Sequence, residues 1–171
     1  MAQQDLMVGV VVERRAPSSP WAEDLWFPSA VLAGAPDTPA WTEIDSWDGG
    51  ARYYAGTFTL SFHRTETANY RDNLASGSPK LWVNLRRRDG HPPVEVWAVT
   101  ADPAEGEALT ETGWEIVEAV PMPPAIAEAL AEFVAEHHVE REFFKRKRKP
   151  ADPEALAIRP PGLGTKGARD G

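Results

Sequence analysis

The chain has 171 residues, 26 of them Asp or Glu and 18 Lys or Arg, so it is acidic with a formal net charge of −8. This length is typical of one domain that can bury a sizeable core. The absence of Cys excludes disulfides, thiolate metal sites and Cys nucleophiles, and it fits a reducing compartment. The longest apolar run, residues 7–12, is far shorter than the roughly 20 residues of a membrane-spanning helix. No positive charge precedes that run, so we expect no secretory signal and a cytoplasmic location.

The first third of the chain predicts four β-strands. The first is dense in Val and ends in charge, which is typical of a short buried strand. Pro28 indicates that the second strand lies at a sheet edge or carries a bulge. In the fourth, Leu60 and most aromatic residues fall on even positions, the period-2 pattern of a half-buried strand. An Asp-Gly-Gly turn joins the third and fourth strands as a hairpin. The four predicted strands span residues 6–15, 27–32, 41–47 and 51–64.

Farther along, strands and short helices follow without regular alternation. Thr65 can cap a helix over residues 66–76, and the Gly that follows can end it. Residues 102–113 begin with Asp-Pro and end with Gly, which are the start and stop signals of a second short helix. Three further strands are predicted, and the first two form a hairpin. These strands span residues 80–88, 94–101 and 114–120.

The clearest helix covers residues 123–140. It carries an apolar stripe and an acidic ridge on different faces, at helical spacing. The stripe consists of Ile126, Leu130, Phe133, Val134 and His137, and the ridge of Glu128, Glu132, Glu136 and Glu140.

Because hairpins dominate, the predicted fold class is α+β, with a mainly antiparallel sheet of about six to seven strands, two short helices and a C-terminal amphipathic helix. The pattern leaves open whether the sheet curls toward a barrel. We predict a single globular domain over residues 1–149. The tail, residues 150–171, is rich in Pro and Gly and is predicted to be mostly disordered.

Five consecutive basic residues stand out on this acidic chain, directly after Phe143 and Phe144. We name Lys145, Arg146, Lys147, Arg148 and Lys149 the basic segment. A solvated helix end, an anionic membrane surface, a nuclear signal and nucleic acid are alternative readings. The overall negative charge repels phosphate, so docking onto an acidic protein is favoured, with Phe143 as the apolar anchor.

Two smaller groups are also candidate binding residues. Arg14 and Arg15 end one predicted strand, and Arg86 and Arg88 lie at the end of another, so all four could meet at one sheet end and bind an anion. Solvated strand ends are the alternative. Most of the seven Trp lie in or beside strands and are expected in the core. Trp26 precedes Phe-Pro and is the one expected to be partly exposed, where it could contact a partner.

The sequence offers no recognisable catalytic pattern. The adjacent His137 and His138 would point about 100° apart on a helix, so no metal site is predicted. Neither a G-x-S-x-G elbow nor a phosphate-binding Gly-rich loop is present. Residues 31–36, "VLAGAP", resemble the start of the molybdenum-cofactor guanylyltransferase motif, but the Gly, Arg and Asp-Lys that complete it are missing. A non-enzymatic protein without a cofactor is therefore favoured.

Three stretches together resemble a small uncharacterised proteobacterial family. They are "VGVVVERR" with the following "PW" and "AVLAG", then "YYAGTFTLSFHRTETANYRDNL", and finally residues 115–156, "EIVEAVPMPPAIAEAL…FFKRKRKPADPEAL". Members are encoded beside molybdenum-dependent formate dehydrogenases, and they are often labelled molybdopterin-guanine dinucleotide biosynthesis protein A. The resemblance covers residues 6–157 and carries over no catalytic residues.

The resemblance implies an accessory protein in the maturation or assembly of a molybdenum-dependent formate dehydrogenase. Its expected partner is a formate dehydrogenase subunit or another assembly factor. A molybdopterin- or nucleotide-binding protein of cofactor biosynthesis is the alternative. Nucleic-acid binding is a third possibility, which the acidic charge disfavours.

Overall fold

The computed structural model describes residues 3–111 and 115–138, in which seven strands form two antiparallel sheets. The strands are β1 (Gln3–Arg15), β2 (Leu25–Ala33), β3 (Thr42–Trp47), β4 (Gly50–His63), β5 (Lys80–Arg87), β6 (Val94–Thr100) and β7 (Glu115–Pro121). Sheet 1 has the order β2-β1-β4-β3, and sheet 2 the order β6-β5-β7. Within the described residues, each sheet is open and has two edge strands.

Three α-helices complete the described structure: α1 (Thr67–Ala75), α2 (Pro103–Thr110) and α3 (Pro124–His137). A 3-10 turn at Arg64–Glu66 precedes α1. The predicted α+β class with mainly antiparallel strands is confirmed, and the seven strands fall within the expected number.

Sheet 1 is built on β1, which pairs with β4 from Gln3 opposite His63 to Arg15 opposite Gly50. Alternate residues of a strand share one face, so the even-numbered valines of β1 all reach the core. Val8, Val10 and Val12 are at most 1% exposed.

The pairing of the edge strand β2 with β1 has a register shift. Val11 pairs with Ala30, but the next residue, Val12, pairs with Pro28. Pro cannot donate to a strand ladder, and a bulge on an edge strand tolerates it. The predicted edge or bulge at Pro28 is therefore confirmed on both counts.

The helices α1 and α3 meet the sheet through three aromatic rings. Phe62 of β4, Tyr70 of α1 and Phe133 of α3 have ring centroids 5.6–6.3 Å apart. The Tyr70 hydroxyl accepts a hydrogen bond from the His63 amide at 2.9 Å. The predicted apolar residues of α3 that precede His137 are buried, namely Ile126, Leu130, Phe133 and Val134.

Two buried polar side chains fix the neighbouring loops. Asn73 donates through Nδ2 to the carbonyls of Lys80 at 2.8 Å and Ala101 at 3.0 Å, and its Oδ1 accepts from the Lys80 amide at 3.0 Å. Asp102 caps α2 by accepting from the Ala104 amide at 2.9 Å. These bonds connect α1 to the start of β5 and to the end of β6.

One local prediction is wrong. Thr65 does not cap α1, because the chain makes the 3-10 turn first and the N-cap position falls on Glu66, which makes no side-chain capping bond. All six residues of the strand β3 are exposed. As the outermost strand of sheet 1, β3 pairs with β4 along one edge only.

The chain divides into two units, residues 1–135 and residues 136–171, and of the second the structure describes only 136–138. The predicted boundary between residues 1–149 and the tail 150–171 lies outside the described residues and stays a prediction. None of the helices described here has the length and apolar character needed to cross a membrane.

Candidate protein-docking surface

One end of sheet 1 carries a row of paired residues across all four strands, and three of the four residues are exposed. Leu25, Arg15, Gly50 and Trp47 are register partners on β2, β1, β4 and β3. Directly paired residues of antiparallel strands point to the same face, so these side chains are neighbours. Leu25 is 55% and Trp47 42% exposed. The Trp47 indole lies over Gly50, where an added Cβ would come within 2.9 Å of the ring.

The next row on this face holds two ion pairs. Phe27, Glu13, Arg52 and Asp45 are register partners. The buried Glu13 accepts a hydrogen bond from Arg15 at 2.8 Å. Asp45 accepts two from Arg52, at 3.1 and 2.8 Å. The two arginines are thus fixed by carboxylates on their own or a neighbouring strand.

Each of these arginines also contacts an aromatic ring. The Arg15 guanidinium lies 4.9 Å from the Phe27 ring centroid, and that of Arg52 lies 5.3 Å from the Trp47 ring. The hydrogen bonds with Asp45 raise the pKa of Arg52 above its ordinary value. A guanidinium held between a carboxylate and a ring loses little further freedom on binding, so these side chains are pre-organised.

The loop between β1 and β2 adds a third apolar side chain at the same end of the sheet. Trp21 in this loop is 92% exposed. Trp and Arg are the residue types most enriched where interfaces gain their binding energy. We name this set the arginine–aromatic surface, and its members are Arg15, Trp21, Leu25, Phe27, Trp47 and Arg52.

Trp26 lies elsewhere than predicted. Its exposure is only 8%, so the expectation of a partly exposed indole is wrong. The ring stacks on Tyr53 with centroids 5.8 Å apart and meets Trp41 edge-on at 6.3 Å. Arg14, the register partner of Trp26, donates to the Tyr53 hydroxyl at 3.2 Å. Residues on three segments bury the indole, and a partner contact at Trp26 stays a prediction.

The four arginines predicted to bind an anion are distributed over both sheets. Arg14 and Arg15 end β1 in sheet 1, Arg86 lies in β5 of sheet 2, and the exposed Arg88 follows β5. Anion binding by them stays a prediction, and carboxylates already approach the first three. Arg14 is 3.5 Å from Asp24, Arg15 is 2.8 Å from Glu13, and Arg86 is 2.7 Å from Glu115.

Sheet 2 has its own cation–aromatic pair. The Arg86 guanidinium stacks on Trp97 at 3.7 Å, and Trp97 is 54% exposed. Glu115 binds Arg86 through one oxygen and the Asn84 side-chain amide through the other. The fully buried Asn84 has no partner for its Oδ1 in the part of the chain that the structure describes. This network connects the central strand β5 to both of its neighbours.

A groove between α1, α2 and the start of β5 has a volume of about 460 Å³. We name it the α1–α2 groove, and it is lined by Asp72, Asn73, Ser76, Lys80, Trp82 and Pro103, among others. Its volume is within the range of small-molecule sites. Within the described ranges, no group of three or more His, Asp or Glu side chains could hold a metal ion.

The basic segment and Phe143 lie outside the described residues, so their predicted partner contact stays a prediction. Sequence reasoning assigned most Trp to the core, yet Trp21, Trp47 and Trp97 are exposed. A signal was present for two of them. Trp21 follows a Ser-Ser-Pro turn, and Trp47 is the last residue before Asp-Gly-Gly.

Residues 7–148 match the family described as Protein of unknown function (DUF3305). The match covers most of the chain, and the chain belongs to this family. Comparison with the curated proteins and with the solved structures gives no significant match. The resemblance to an uncharacterised family is thereby confirmed.

Proposed function

We propose that this member of the DUF3305 family is a non-enzymatic accessory protein that docks a partner protein. The arginine–aromatic surface is the observation that carries the proposal. It combines exposed Trp21, Leu25 and Trp47 with two arginines whose geometry is already fixed. Single exposed apolar residues are ordinary on protein surfaces, but a cluster of them with ordered arginines is typical of an interaction site.

The basic segment supplies a second contact in this proposal. Its five cations would attract an acidic partner at long range, and Phe143 would slow dissociation once the partner is bound. Steering by exposed charge is screened by salt, because the Debye length is only about 8 Å at physiological ionic strength. The two contacts therefore differ in their expected salt dependence.

The resemblance to proteins encoded beside molybdenum-dependent formate dehydrogenases supports the choice of partner. We propose a formate dehydrogenase subunit or another assembly factor, met in the cytoplasm during maturation of the enzyme. The acidic net charge of −8 disfavours nucleic acid, because a phosphate backbone is attracted by a basic face.

Co-purification with tagged formate dehydrogenase subunits tests this proposal, together with the activity of the dehydrogenase in a deletion strain. We expect the full chain to be recovered with a subunit, and the activity to fall when the gene is deleted. Failure to recover any subunit, with full dehydrogenase activity in the deletion strain, would contradict it.

A molybdopterin- or nucleotide-binding protein is the second candidate, and the α1–α2 groove favours it. The groove offers Lys80 for a phosphate and the partly buried Trp82 for a ring. Titration of the full chain with GTP and with molybdopterin tests this alternative, with Lys80→Glu as the matched variant. Binding that is lost in Lys80→Glu would favour a cofactor role, and no binding at millimolar ligand would remove it.

A further inference from the structure

A second surface lies at the opposite end of sheet 1 from the arginine–aromatic surface. The start of β1, the end of β2 and the first turns of α3 enclose an apolar groove of about 190 Å³. Cavities of about 150 Å³ hold a benzene molecule, so this groove can hold one Leu or Phe side chain. We name it the acidic groove after its border, and its lining includes Met7, Val8, Ala33, Gly34, Ala125 and Ala129.

Small residues create the groove. Ala33 and Gly34 on one side face Ala125 and Ala129 on the other, and an added Cβ at Gly34 would meet nothing within 4 Å. Met7 is 51% exposed at the rim. Because a Met side chain is flexible and polarizable, it adapts to different apolar groups and suits a groove that accepts a side chain from outside.

The border of the groove is negative. The residues that line it lie within the segments 3–9, 30–40 and 123–135, and these segments together contain four carboxylates and no Lys or Arg. All four are exposed, and none has an ion-pair partner within the described residues. They are Asp5, Asp37, Glu128 and Glu132.

Two of these carboxylates are neighbours, on α3, of residues that line the groove. Glu128 and Glu132 lie three residues after Ala125 and Ala129, so each is the helical neighbour of a groove-lining residue. Asp5 is two residues before Met7 on the same face of β1. Hydrogen bonds from Gln3 and Ser61 lower the pKa of Asp5, so that carboxylate stays ionised at neutral pH.

From these observations we infer that the acidic groove docks a basic peptide segment of a partner protein, with one Leu or Phe side chain seated in the groove. Lys or Arg residues beside that anchor pair with Glu128 and Glu132. An apolar pocket beside Glu128 and Glu132, which have no ion-pair partner within the described residues, attracts this chemistry and repels acidic or phosphorylated segments. The inference is independent of the proposed docking at the arginine–aromatic surface.

The test uses the full chain and a short synthetic peptide in which one Leu precedes a run of Lys and Arg. Its affinity is measured by fluorescence anisotropy at low and at physiological salt. Two control peptides accompany it, one with Ser for the Leu and one with Glu for the basic residues. We expect Kd to rise about tenfold without the Leu and binding to be lost with Glu.

Variants of the protein then locate the site. Ala129→Phe fills the groove, and Met7→Ser removes its exposed wall without touching the core. We expect each to raise the Kd of the probe peptide about tenfold. Circular dichroism verifies the fold, and Met7→Ser keeps the test valid if Ala129→Phe does not fold.

Charge reversal gives the matched control. Glu128→Lys with Glu132→Lys should weaken the probe about tenfold at low salt, with less effect as salt rises. The control variant carries Glu107→Lys and Glu111→Lys, which make the same change of charge. Glu107 is exposed on α2 and Glu111 is exposed directly after it, so this variant should leave the affinity for the probe peptide almost unchanged.

Three results would overturn the inference. One is equal weakening by both charge-reversed pairs, which would mean attraction by net charge alone. Another is no binding of the probe at millimolar concentration. The third is sedimentation of the unmodified chain as a dimer that Met7→Ser dissociates, since a second copy would then occupy the groove.

Discussion

The two ends of sheet 1 differ in whether their charged side chains form ion pairs. At the arginine–aromatic end, Glu13 and Asp45 each bind an arginine that also contacts a ring. At the groove end, Glu128 and Glu132 are exposed and have no ion-pair partner within the described residues. Met7 and Arg15 mark these ends on β1, and eight residues at about 3.3 Å each place them roughly 26 Å apart.

Because of this difference, each end offers a partner protein a different kind of contact. Charges that are already paired add little long-range attraction, so the arginine–aromatic end offers ordered apolar contact area. Unpaired carboxylates attract and steer, and the adjacent groove offers a place for only one side chain. We therefore expect mutations at the first end to change stability and dissociation, and mutations at the second to change association and its salt dependence.

The largest effect on stability is expected where a carboxylate is buried. Glu13→Ala removes the partner of Arg15 and empties a position that is 8% exposed, so we expect a loss of about 2 kcal/mol in the free energy of unfolding. Glu128→Ala removes an exposed carboxylate and should change it by less than about 0.5 kcal/mol. Urea denaturation of both variants measures the contrast. Equal changes would mean that the two ends do not differ in this way.

A smaller effect is expected from Arg52. The pair with Asp45 and the contact with Trp47 are both solvent-accessible and therefore weak, so Arg52→Gln should lower the Tm by less than Glu13→Ala does. Arg52→Lys keeps the charge but not the planar fork, and we expect it to recover less than half of the loss. Thermal unfolding of the two variants provides the measurement. Full recovery in the Lys variant would mean that the charge of Arg52, and not its planar guanidinium, is what stabilises the fold.

The stability of the fold is expected to depend on alkaline pH through the buried Tyr70. Burial raises the pKa of Tyr70 to about 12, above the ordinary value of about 10. The folded state thus favours the neutral phenol, and this stabilisation is complete below about pH 10 and is lost as the pH rises toward about 12. Tyr70→Phe should flatten that decline, while it forgoes the hydrogen bond from the His63 amide. The urea midpoints of the unmodified chain and of Tyr70→Phe, measured between about pH 9 and 12, test this prediction. An equal decline of the midpoint with pH in both proteins would contradict it.

The smallest effect on stability is expected from the basic segment. Changing Lys145, Arg146, Lys147 and Arg148 to Glu should shift the free energy of unfolding by about 0.5 kcal/mol or less, because a run of Lys and Arg is predicted to be solvated. The same change should slow association with an acidic partner, and less so at high salt. Phe143→Ala should instead speed dissociation. Stopped-flow kinetics measures the association and dissociation rates separately. Full dehydrogenase activity in cells with the Glu variant would mean that the basic segment has no docking role.

Local patterns were sufficient to predict most of the secondary structure. The Val-rich start, the Asp-Gly-Gly turn and the stripe of α3 each determine one element through nearby residues. The structure agrees to within three residues at the starts of β1 and β2. Pro28 could be placed at an edge or bulge because its missing N–H excludes the interior of a sheet.

The candidate sites could not be predicted in the same way, because they depend on pairing between distant strands. Trp26 is buried because Tyr53 and Trp41 reach it from other segments. Trp47 is exposed because β3 is the outermost strand, which its own sequence does not reveal. The acidic groove combines residues of β1 and β2 with residues of α3 that lie more than 90 positions later, and no local pattern connects them.

The most direct test of the account is co-purification of the Trp21→Ala, Trp47→Ala double variant with tagged formate dehydrogenase subunits. Trp97→Ala, which removes an exposed indole from sheet 2, is the matched control. Loss of interface Trp side chains typically costs about 2 kcal/mol or more, which is about thirtyfold in Kd. We expect the double variant to be lost from the complex and Trp97→Ala to be retained. Equal recovery of both variants would contradict docking at the arginine–aromatic surface.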